Sequence, residues 1–136
     1  MSIITGIRWK ERFENFKKAF LLLKRTIEIE DKNEAELGGL IQFYEITFEL
    51  SRKLLKDYLE TLGNLVKSPR EAIKTAVKAE IINSEHTWLD ALTDRNTTAH
   101  VYDEISFLHI SEKIINTYFF IIQELYLEFE KKYTNE

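Results

Sequence analysis

The chain has 136 residues, 44% of them hydrophobic and 31% charged, enough for one domain with its own core and too few for two ordinary ones. A net charge of -4 argues against binding nucleic acid by bulk electrostatics, so any contact with a polyanion must come from a local basic patch. With no cysteine, disulfides, thiolate catalysis and zinc–thiolate sites are excluded.

Only four glycines and one proline interrupt the chain, which predicts an all-α protein of long helices joined by few turns. The first residues, Met1 to Arg8, lack a basic segment followed by an apolar one, so no signal peptide is expected. Apolar runs such as Phe20 to Leu23 fall short of the roughly 20 residues that span a bilayer. A soluble cytoplasmic protein is the expectation.

The first helix is predicted from about Arg8 to Glu30, because Trp9, Phe13, Phe16, Phe20, Leu23 and Ile27 alternate four and three residues apart. Asn33 can cap a second helix from about Glu34 to Leu62, whose inward apolar positions run from Leu37 through Tyr44 and Phe48 to Leu59 and Leu62. Gly38 and Gly39 near its start suggest close packing against a neighbour, and Gly63-Asn64 is a strong stop. Ser68-Pro69-Arg70-Glu71 is the clearest helix start, with a Ser cap, Pro at the first position and Glu three residues after the cap. The short helix it opens, to about Glu80, buries Ala72, Ile73, Ala76 and Val77 and carries Arg70, Lys74 and Lys78 along another side. Such a stripe is ordinarily a solvated face; the functional alternative is a strip that steers phosphates.

Asn83 or Ser84 can cap a fourth helix that reaches Arg95 or Asn96, with Trp88, Leu89 and Leu92 inward. A last helix starts between Asp103 and Ser106 and runs to about Lys132. Between Tyr118 and Phe129 it is apolar on more than one face, which predicts burial on two sides and hence a homodimer. The whole, residues 1–136, reads as a single antiparallel up-and-down bundle of four long or medium helices plus a short one.

Function has few places to reside. His86, His100 and His109 have neither partner His nor carboxylate at metal-ligand spacing, and no phosphate loop, nucleophile elbow or dinucleotide fingerprint is present, so neither a metal nor a cofactor is expected. His86 and His109 read as surface or packing residues. What remains is Arg95-Asn96-Thr97-Thr98-Ala99-His100-Val101-Tyr102. These residues can simply close a helix junction, with Arg95 paired to Asp94, Asp90 or a neighbouring helix. They can also do chemistry: His moves a proton near neutral pH, and Arg forks onto a phosphoryl group. An Arg five residues before a His is common by chance; the added Tyr makes the pattern rarer.

This stretch matches the Arg-x4-His-x-Tyr motif of the HEPN superfamily, including the polar residue after the Arg. Arg8-Trp9-Lys10-Glu11-Arg12-Phe13-Glu14-Asn15-Phe16, Lys56-Asp57-Tyr58-Leu59, Lys67-Ser68-Pro69-Arg70-Glu71 and Trp88-Leu89-Asp90 extend the likeness over the chain. It resembles the HEPN branch of nucleotidyltransferase substrate-binding proteins, except at Arg52, where a large apolar residue, often Trp, is expected. The resemblance implies a dimeric bundle with a composite cleft, and a minimal nucleotidyltransferase as partner in a toxin–antitoxin pair. It implies a metal-independent RNA endonuclease in which His100 is general acid or base, Arg95 stabilises the transition state and Asn96 orients the phosphate or the His. Tyr102 would be the hydroxyl that the partner adenylylates, and Arg70, Lys74 and Lys78 would line the RNA's approach. The alternative is a non-catalytic nucleotide- or substrate-binding subunit, and the plainest is a helical dimer whose motif only ties helices together.

Overall fold

A computed structural model describes residues 3–98 and 104–135. These residues form helices α1 (Ile3–Ile27), α2 (Glu34–Thr61), α3 (Pro69–Lys78) and α4 (Glu85–Thr98). A last long helix follows in three parts: α5 (Glu104–Lys113), a π-helical turn (Ile114–Tyr118) and α6 (Phe119–Asn135). Among the described residues there is no strand, so the expected all-helical bundle is observed.

Ring contacts fix the directions. Trp9 near the start of α1 meets Tyr58 near the end of α2 and Phe129 in α6, with centroids 5.2 and 5.7 Å away, while Phe20 stacks on Phe119 at 5.6 Å. Hence α1 runs antiparallel to both α2 and the last helix. Tyr44 and Phe48 of α2 meet Ala91 and Trp88 of α4 in reverse order, so α4 is antiparallel to α2 as well. The up-and-down arrangement follows, with the short α3 packed against α2 and α4.

The predicted stripes make the core. Trp9, Phe13, Phe16, Phe20 and Leu23 of α1 are buried, as are Leu40, Tyr44, Phe48, Leu55, Tyr58 and Leu59 of α2. Local chemistry sets the ends. The Asn33 side chain accepts from the Glu36 amide at 2.8 Å while the Glu36 carboxylate accepts from the Asn33 amide at 2.9 Å, a reciprocal capping box. Ser68 caps α3 by accepting from the Glu71 amide at 3.1 Å. At the end of α2, Gly63 takes φ +89°, a left-handed conformation, and the Asn64 amide reaches back to the Leu59 carbonyl at 2.9 Å.

Four expectations need correction. The Gly38-Gly39 pair shows no close packing among the described residues, since a Cβ at either position meets nothing within 4 Å. Ser84 stands directly before α4, and its carbonyl accepts from the Trp88 amide at 3.1 Å, but it lacks the extended backbone seen at Asn33 and Ser68: its φ is 59°, and its hydroxyl donates to the Asn83 side chain at 3.1 Å. Leu62, expected inward, is 48% exposed, because α2 ends before it. The last helix is not uniform: the Phe119 amide bonds back to Ile114, five residues away, which makes Ile114–Tyr118 a π-helical turn, with Ile114 and Tyr118 both buried.

Candidate functional site

The final turn of α4 carries Asp94, Arg95 and Asn96, and it packs against the N-terminal half of α2 and the π-helical turn. Asp94 is the hub. Its carboxylate accepts a short hydrogen bond from the Tyr118 hydroxyl and an ion pair from Lys113 at 3.3 Å, which ties α4 to the last helix. Tyr118 in turn stacks on Tyr44, with centroids 5.8 Å apart, and the Tyr44 hydroxyl donates to the Ala91 carbonyl at 2.8 Å. Tyr118 is the last residue of the π-helical turn.

Charge is dense here. Burial pushes the Tyr44 phenol well above its usual range, helped by Tyr118 and Asp94 and opposed by the Arg95 cation. Burial also raises the Tyr118 phenol, together with its hydrogen bond to Asp94 and the Asp94 charge. On α2, Glu49 and Arg52 form a forked pair. The Arg52 hydrogen bond holds the Glu49 carboxyl below its usual value, with further help from the charges of Arg52, Arg95 and Lys53. Arg95 therefore faces α2, in electrostatic reach of both Tyr44 and Glu49.

Of the residues singled out in the sequence, Arg95 is half-buried at this junction and Asn96 is exposed beside it. His100 and Tyr102 lie outside the described residues. Arg70, Lys74 and Lys78 are exposed on α3, turned away from its buried Ala72, Ile73 and Ala76. His86 is exposed and pairs with Asp90 at 3.3 Å, and His109 is exposed. Among the described residues no three His, Asp or Glu side chains are placed to share a metal.

With this geometry in place, the comparisons are informative. The family model described as "nucleotidyltransferase substrate binding protein like" matches residues 11–131. The chain belongs to this family. The match takes in α2, α3, α4 and the last helix up to Lys131, and so contains the whole junction around Asp94 and Arg95. Among solved structures, a crystal structure of a protein from Thermus thermophilus is similar at 28% identity with a TM-score of 0.75, over 81% of this chain and 94% of that one. No curated protein matches.

Sequence reasoning missed the residues that hold this family member's junction together. Asp94 stood next to Arg95 as one possible partner for it, whereas its carboxylate engages Lys113 and Tyr118, 19 and 24 residues away. Tyr118 read as one more apolar position of a helix. Arg52 read only as a departure from the family; it is half-buried against Glu49.

Proposed function

We propose that this chain is the substrate-binding subunit of a two-component nucleotidyltransferase and works with a separate minimal nucleotidyltransferase. The observation that carries this reading is the family match across residues 11–131. The junction gives it physical content: Arg95 is a permanent cation suited to a phosphate, Asn96 is exposed beside it, and α4 is anchored firmly enough to present both. Co-expression with a minimal nucleotidyltransferase from the same genome should give a complex that survives size-exclusion chromatography. Separate elution of the two proteins would overturn the reading.

A second reading is favoured by one observation, the Arg95-x4-His100-x-Tyr102 pattern in the sequence. In it the chain is a HEPN-type RNA endonuclease. The ribose 2′-oxygen attacks the neighbouring phosphorus and expels the 5′-oxygen, with His100 moving the proton, Arg95 stabilising the charge that develops on phosphorus and Asn96 orienting the phosphate. The partner silences it when the Tyr102 phenol attacks the α-phosphorus of ATP and releases pyrophosphate. Toxicity and RNA cleavage by the chain alone, both lost in His100→Ala, together with an adenylyl mass on the Tyr102 peptide after co-expression, are the expected results. Full toxicity of His100→Ala would sink it. Both readings take a homodimer, supported by Phe120 and Leu127, which stand two turns apart on α6 and are 53% and 52% exposed. A monomeric mass at micromolar concentration by light scattering would count against it.

A further inference from the structure

Between α2 and the start of α3 lies a cavity of about 70 Å³ lined by Arg52, Lys56, Val66, Lys67, Ser68 and Ala72 among others. Three cations meet there. Arg52 and Lys56 stand one turn apart on α2, and Lys67 arrives from the loop before α3. Lys56 and Lys67 are exposed at the mouth and form no salt bridge among the described residues. Two backbone donors at the α3 start are already used: the Glu71 amide goes to Ser68 and the Lys67 amide to the Glu71 carboxylate at 2.9 Å. What the cavity offers a ligand is therefore side-chain charge.

This cavity adjoins the α4 junction. Glu49, which pairs with Arg52, also lies in the field of Arg95 and Lys53. From Glu49 to Lys56 is seven residues, about 10 Å along the helix axis. Arg52, Lys56 and Lys67 thus gather positive charge at one cavity, in a chain whose net charge is -4, and Glu49 beside Arg52 also lies in the field of Arg95 on α4. The stripe of Arg70, Lys74 and Lys78 offers no such convergence, since it lies exposed on the outer face of α3.

We propose that Arg52, Lys56 and Lys67 form a phosphate-binding cleft that holds one phosphate of a nucleotide or oligonucleotide engaged elsewhere by Arg95. Arg52 forks onto two phosphate oxygens, and the two lysines act as point charges at the rim. Glu49 holds Arg52 in the free protein and stays in the field of Arg95 and Lys53 when phosphate takes the guanidinium. The proposal rests on the nucleotidyltransferase reading only for the link to Arg95.

The test uses the full chain without its partner. A fluorescein-labelled single-stranded oligouridylate is followed by anisotropy and ATP by calorimetry, across a salt series. In the cleft variant Arg52→Gln/Lys56→Gln/Lys67→Gln, affinity should fall about tenfold or more, and the salt slope for the oligonucleotide should flatten by about 0.7 per cation removed. The outer-face variant Arg70→Gln/Lys74→Gln/Lys78→Gln should change affinity by less than about threefold. Loss with the oligonucleotide alone names a polynucleotide as the source of the phosphate, and loss with ATP alone names a nucleotide; both support the cleft. Unchanged affinity in the cleft variant, equal loss in the outer-face variant, or no binding of either probe by the natural chain at millimolar concentration overturns it. Lys56→Gln and Lys67→Gln singly, at exposed positions, give the same answer if the triple variant misfolds. Failure of the subunit reading shows separately, as no complex with the nucleotidyltransferase while cleft binding persists.

Discussion

At the end of the bundle where α1 begins and α6 finishes, Trp9 is enclosed by the rings of Tyr58, Phe129 and Tyr133, with centroids 5.2, 5.7 and 6.4 Å away. Near the other end, where α4 finishes, the contacts between helices pass through Asp94, Tyr118, Tyr44 and Lys113. The aromatic end removes large apolar surface from water and holds α1, α2 and α6 together through dispersion and burial, which have little directional demand. The polar end is directional: the Tyr118 and Tyr44 hydroxyls each donate to one acceptor, and moving either strands a polar group in a poorly hydrated place. The protein thus puts its bulk stability at one end and its geometric precision at the other, and Arg95 stands at the precise end.

Trp9→Ala tests the first half of that contrast and should have the largest effect. Trp9 is 1% exposed, so the truncation leaves a cavity among three rings and should cost ~3–5 kcal/mol in chemical denaturation. A loss below about 1 kcal/mol would mean that the aromatic end is not where stability resides.

Tyr118→Phe tests the second half, with a smaller effect. It removes a buried hydrogen bond to a charged acceptor and should cost ~1.5–3 kcal/mol at neutral pH. Its pH signature is more specific. The folded pKa of Tyr118 is raised above the unfolded value of 10.0, so its contribution is fully present below about pH 10 and is lost as pH rises toward the folded pKa. The natural chain should therefore lose stability above pH 10, and Tyr118→Phe should lose less over the same range. Parallel denaturation curves at pH 8 and pH 11 for the two proteins would contradict the assignment.

The contrast also marks what could be read in the sequence. The aromatic end was legible because its signal is periodic: Trp9, Phe13, Phe16 and Phe20 recur on one side of a helix whatever they pack against. Asn33 and Ser68 were legible because a cap is made within three residues of itself. The polar end was not, because its pairs span 19 to 47 residues and depend on how α2, α4 and the last helix are aligned. Ile114-Ile115-Asn116-Thr117-Tyr118 reads as ordinary helix, because Ile114 and Tyr118 keep the four-residue spacing of one helical face, and only the backbone bond from Phe119 to Ile114 marks the wider turn. Gly38-Gly39 misled for the opposite reason, since glycine in a helix signals room for a neighbour without saying that one is there. Arg95 and Asn96 could be chosen from their chemistry, whereas the Arg52–Glu49 pair and the cleft beside it needed α3 to be placed first.

Lys113→Ala should have the smallest effect and sharpens the account of Asp94. Lys113 and Tyr118 both reach the same carboxylate oxygen, but Lys113 is 42% exposed, and its ion pair is screened by solvent. Its removal should cost at most about 1 kcal/mol, and less in high salt, whereas the Tyr118→Phe loss should be nearly independent of salt. Asp94 is not left alone in Lys113→Ala, because the Tyr118 hydroxyl still donates to it. If Lys113→Ala instead destabilises as much as Tyr118→Phe, the carboxylate is held by charge neutralisation and not by a directional bond. The α4 terminus that carries Arg95 would then be free to turn about Asp94, and the geometric precision assigned to this end of the bundle would have to come from elsewhere.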